Sequence, residues 1–142
     1  MVKKTKINNL TMSKIEIVDF LKSNGFKLIE QNNSSYFNDF YKILTNENLE
    51  LRISSTKSFE SIDVRSASER GKWFDLALIK SLLYNENNLN KVTTAKEYTN
   101  FLINDFNSIN QLFMDLFYTK TKIQLNELGV KRAKQMFPEQ FE

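Results

Sequence analysis

The sequence predicts an α+β fold: a four-stranded antiparallel meander, preceded by one short helix and followed by three helices, the last two forming an antiparallel helical hairpin. Three observations predict it. Between Phe26 and Arg65 apolar and polar residues alternate, whereas on either side apolar residues recur at three- and four-residue steps. Polar clusters at 32–35, 45–48 and 55–58 divide the alternating part into four runs of strand length. Only three glycines and one proline occur in 142 residues, which suits long regular elements with few sharp turns.

Residues 1–12 read as a flexible basic arm, with Lys3, Lys4 and Lys6 and no periodicity, leaving 13–142 as a single α+β domain. Ser13 and Glu16 have capping-box spacing, and Ile17, Val18, Phe20 and Leu21 form the apolar face of a first helix that ends at Asn24-Gly25. Strands are expected at about 26–31, 36–44, 49–54 and 59–65. With a loop at 55–58, Leu51 falls opposite Ile62 and Leu49 opposite Val64. With a loop at 44–48, Ile43 falls opposite Leu49 and Tyr41 opposite Leu51.

The other sheet face then carries Phe40, Lys42, Glu50, Arg52, Phe59, Asp63 and Arg65. Lys42 would oppose Glu50, and Glu50 would oppose Asp63 with Arg52 diagonal to it. Two readings follow. The face is either a solvated charge ladder or a docking patch in which Phe40 and Phe59 flank Arg52, since aromatic residues and arginine are enriched at interface centres.

Trp73–Tyr84 is apolar almost all round and is expected as a buried helix with Trp73 in the core. Thr94 and Glu97 form a second capping box, from which one long amphipathic helix runs to Phe117. Asp105 interrupts its apolar stripe. Tyr118–Lys122 turns the chain into a last helix that stops before Pro138. Counting outward from that turn sets Asp105 level with Arg132 and Ser108 level with Gly129. The first coincidence predicts a structural ion pair clasping the hairpin; the second predicts close backbone approach at Gly129.

Composition narrows the chemistry. Cysteine and histidine are absent, which removes disulfides, thiolate ligands, cysteine nucleophiles and the commonest general base and metal ligand. No phosphate-binding loop, zinc spacing or calcium loop occurs, and the 17 acidic residues are scattered rather than clustered. No catalytic, cofactor or metal residues are assigned, and a non-enzymatic protein is expected. A net charge of +3 is only mildly basic. It allows nucleic-acid binding, through Lys3, Lys4, Lys6, Lys120, Lys122, Lys131 and Lys134, without indicating it. No apolar run approaches the roughly 20 residues of a membrane span, and no signal segment follows the N-terminal lysines, so a cytoplasmic protein is expected.

The meander YKILTNENLELRISSTKSFESIDVRS, the Trp-led segment WFDLALIKSLLY and the capped segment TAKEYTNFLINDFNSINQLF together resemble, in layout, small α+β immunity proteins of bacterial toxin systems. The resemblance implies a protein that binds and neutralises a cognate toxin, with no functional residue carried over. The basic charge argues against a target blocked by mimicry of nucleic acid. A structural homodimer is the third class, hinted at by Ile103 and Met114 on the back of the long helix; monomer and homodimer both stay open.

Overall fold

Alternating hydrophobicity and tight turns fold the middle of the chain into an antiparallel sheet with strands in sequence order. In the computed structural model, which describes residues 10–33, 40–56 and 59–140, the strands are β1 (Lys27–Asn33), β2 (Phe40–Thr45), β3 (Leu49–Thr56), β4 (Phe59–Ser66) and β5 (Phe74–Asp75). Among the described residues, five strands replace the four expected. The fifth has only two residues and pairs Asp63 with Asp75 and Val64 with Phe74. The helices are α1 (Leu10–Ser23), α2 (Leu76–Tyr84), α3 (Ala95–Asn104), α4 (Phe106–Leu112) and α5 (Asp115–Met136).

α1 starts within the expected arm, so Ser13 lies inside the helix and not at its N-cap. Lys3, Lys4 and Lys6 lie outside the described residues, as does 36–39 of the second expected strand. α1 ends as expected: Gly25 adopts φ 88°, a left-handed conformation natural to glycine, and Phe26 N donates to Leu21 O at 3.0 Å.

Both hairpin registers differ from those expected, for identifiable reasons. Between β3 and β4 the shift is two residues: Leu51 pairs with Val64 and Ile53 with Ile62. The faces are unchanged, but Glu50 now opposes Arg65 and Arg52 opposes Asp63, so each acid meets a base where the expected register set Glu50 against Asp63. Between β2 and β3 the shift is odd. Asn46 closes a tight turn by accepting from Asn48 N at 2.7 Å and Leu49 N at 2.9 Å, while its own N–H bonds Leu49 O. Leu44 consequently pairs with Leu51 and Ile43 with Arg52, which exchanges the two faces of β2.

One face of the sheet supplies Leu44, Leu51, Ile53, Ile62, Val64 and Phe74 to a core completed by Ile17 and Leu21 of α1, Leu76 and Ile79 of α2, Phe101 and Leu102 of α3, Ile109 of α4 and Leu125 of α5.

The helix expected over 94–117 is interrupted twice. The Thr94–Glu97 capping box forms as expected. Asp105 then leaves helical geometry at φ −114°, ψ 22°, and this bend brings Phe106 against Phe20 and Phe26 at ring separations of 5.7 and 5.8 Å. Phe113 ends α4, and Met114, extended at ψ 147°, begins α5 with Asp115 in its first turn. The expected turn at 118–122 is therefore helix interior.

The antiparallel hairpin and its clasp are corrected accordingly. α5 packs against α2, Arg132 pairs with Asp75, and Asp105 accepts a hydrogen bond from the Tyr84 hydroxyl at 2.6 Å. Gly129 makes no close approach either, since a Cβ built there would meet no atom within 4 Å. Gly129→Ala should therefore stabilise the protein by about 0.5–1 kcal/mol, through helix propensity alone. A rise of a few degrees in a calorimetric Tm checks this; a fall would show that the backbone there needs glycine.

Candidate functional site

The sheet face away from the core carries two ion pairs fixed by the β3–β4 register. Arg52 Nη2 lies 3.1 Å from Asp63 Oδ2, and Arg65 Nε lies 2.8 Å from Glu50 Oε1. Glu50 is buried, and its second oxygen receives Arg70 Nε at 3.1 Å. Arg70 adopts φ 51° in the connection after β4, outside the usual range for a side chain with a Cβ.

Trp73, partly exposed, lies over both other arginines, with Arg52 Cζ 4.4 Å and Arg65 Cζ 4.3 Å from its ring centroid. Each such contact contributes on the order of 1 kcal/mol when partly shielded from water. The expectation of a core Trp73 opening a helix is thus corrected: α2 begins only at Leu76, and Trp73 precedes β5 on the charged face. Burial raises the Asp63 carboxyl above its ordinary value of 3.8, partly offset by Arg52. At the margin, Tyr41 donates to Glu30 Oε2 at 2.6 Å, and that bond raises the phenol pKa.

Across β4–β5 the polar network continues through Asp75. Its Oδ1 accepts from Ala77 N at 2.9 Å, capping α2, and from the Tyr98 hydroxyl at 2.7 Å; its Oδ2 accepts from Arg132 Nη1 at 2.9 Å. Burial and the Asp75 charge raise Tyr98 far above a free phenol, which keeps it a hydrogen-bond donor.

These groups border a cleft of about 400 Å³ whose far side carries Lys80, Lys91 and Glu86. Glu86 pairs with Lys80 at 3.5 Å and Lys91 at 3.8 Å, and Ser81 Oγ lies 3.0 Å from its carboxylate. The acidic groups of the cleft are thus already engaged by neighbours. Among the described residues, no group of three or more acids could hold a metal ion. Nor is any helix of the described residues long and apolar enough to cross a membrane.

Of the residues expected on the outer face, Glu50, Arg52, Asp63 and Arg65 come together. Phe40 and Lys42 do not: the odd β2–β3 register puts them on the other face, opposite Ser55 and Ile53, with Phe40 packed against the core. Phe59 begins β4 opposite Thr56, and its side chain lies outside the described residues. Ile103 is half-buried, and Met114 occupies the α4–α5 junction.

Trp73, Arg70, Asp75 and Tyr98 were not foreseen. For Asp75 a signal existed, an Asp directly before the apolar run LALI, which is N-cap chemistry. No family model, curated protein or solved structure matches the chain.

Two outcomes follow from this geometry. Asp75→Ala removes the α2 cap and leaves Tyr98 and Arg132 without their acceptor, so urea melts should show a loss of about 2–4 kcal/mol. A loss under about 0.5 kcal/mol would mean that other groups replace it. For Asp63 the folded pKa lies above the unfolded one. Its stabilising share is therefore complete below pH 3.8 and is lost as pH rises through the folded value. Relative to Asp63→Asn, the native protein should accordingly lose stability as pH rises above 3.8; parallel pH dependences in paired melts would contradict the raised pKa.

Proposed function

We propose that this chain is a non-enzymatic protein-binding module of the immunity or inhibitor type, and that it docks its partner on the sheet face bearing Arg52, Arg65, Arg70 and Trp73. The observation that carries the reading is the partly exposed Trp73 ring lying over Arg52 and Arg65, each arginine paired to a carboxylate of the same face. Trp and Arg are the residue types that dominate binding hot spots, and side chains held in place before contact lose little entropy on binding.

Three arginines meet Glu50 and Asp63 on the face, with Glu30 at its margin, so its charge is nearly balanced and suits a partner recognised by shape and local contacts rather than by long-range steering. A binding role is also supported by the cleft chemistry: both Asp75 oxygens are occupied and Tyr98 stays protonated, so neither serves as a base. A phosphate-binding reading draws less support from the C-terminal lysines, since Lys122 is tied to Glu69 at 2.8 Å and Glu127 lies among the lysines of α5.

The test uses the product of the neighbouring reading frame as the partner. Expressed alone in a laboratory bacterium it should arrest growth, and co-expression of this chain should restore it. Arg52→Glu with Trp73→Ala should abolish protection and weaken binding at least 100-fold in calorimetric titration, as expected for hot-spot loss of about 3 kcal/mol. Full protection by a folded double variant, or no protection by the native chain, would overturn the reading.

A further inference from the structure

α5 buries one side, with Tyr118, Thr121 and Leu125 facing the core, and exposes the opposite one. Along that outer ridge stand Leu116, 84% exposed, Ile123, 53%, Val130, 54%, and, at the C-cap, Phe137, 50%. They are spaced seven residues apart throughout. At 3.6 residues per turn a seven-residue stripe drifts about 20° per heptad, the geometry of a left-handed supercoil. The ridge runs about 30 Å.

Going beyond the docking reading and using none of its residues, we propose that α5 is a homodimer interface, in which two copies pair along this ridge as a parallel two-stranded coiled coil. Leu116, Ile123 and Val130 take the a positions, with Phe137 extending the row at the C-cap.

The flanking charges select the orientation. In a parallel pair, Asp115 of one copy meets Lys120 of the other and Lys122 meets Glu127, both attractive and each made twice by symmetry. Lys122 can serve both this contact and its own Glu69, having three donors. An antiparallel pair would set Lys120 against Lys134 and Glu127 against its counterpart, all like charges. Thr119, Asn126 and Ala133 fill the alternate layer with small or polar groups. The contact consequently falls at the low end of the roughly 1,200 Å² that specific interfaces bury, and the dimer depends on concentration.

Sedimentation from about 1 µM to about 1 mM tests the pairing. The native chain should pass from monomer to dimer, and Ile123→Glu with Val130→Glu should stay monomeric while its circular dichroism and low-concentration Tm match the native chain. Glu127→Lys should weaken the dimer at least tenfold. Because the native chain has no cysteine, Leu116→Cys reports orientation directly: a parallel pair oxidises to a covalent dimer. A native chain that stays monomeric throughout, or a dimer indifferent to the double glutamate variant, would overturn the proposal. So would a dimer that cross-links only between Leu116→Cys and Phe137→Cys chains, which is the antiparallel arrangement.

Discussion

One carboxylate holds the helical layer to the sheet. Asp75 ends β5, caps α2 with one oxygen, receives the Tyr98 hydroxyl of α3 on the same oxygen, and takes Arg132 of α5 on the other. β5 and the adjoining α2 thus meet α3 and α5, from farther along the chain, at a single residue. The charge is only partly shielded, with a side chain 25% exposed, so its desolvation is modest while its hydrogen bonds are charge-assisted. Moving Asp75 by one residue along the two-residue strand would separate the cap from its partners, which makes this short pairing more consequential than its length suggests.

The charged sheet face follows a related rule. Cross-strand neighbours alternate acid and base once Glu50 stands opposite Arg65 and Arg52 opposite Asp63. A buried Glu50 is tolerable because the guanidiniums of Arg65 and Arg70 reach it, and Arg65, like Arg52, also lies over the Trp73 ring. Neutralisation within the face removes most of its long-range field and leaves a rigid, amphipathic surface.

Element types were legible in the sequence because periodicity reports burial directly. The helix–meander–helix order, the Gly25 cap and the Thr94–Glu97 capping box all follow from local chemistry. Face assignment in β3 and β4 survived an error of two residues because strand periodicity is two. In β2 it did not survive, because the Asn46 turn is shorter than a count of polar residues suggests.

The interruptions at Asp105 and Met114 carry neither Gly nor Pro, and tertiary packing of Phe106 and Phe113 overrides a continuous helical stripe. Once that stripe breaks, pairings counted along an unbroken hairpin, Asp105 with Arg132 above all, no longer apply. Trp73 stayed hidden for another reason. A two-residue strand has no period to detect.

The bend at Asp105 also bears on how the chain comes together during synthesis. Phe20 of α1 packs edge-on against Phe106, whose position depends on that bend, so α1 finds this aromatic partner only after the whole sheet, α2 and α3. The meander closes through hairpins between neighbours in sequence, whereas seating α1 closes a loop that spans the sheet, α2 and α3. Until the α3–α4 segment has emerged, the apolar side of α1 lacks part of the surface that covers it, and the nascent chain needs shielding at α1.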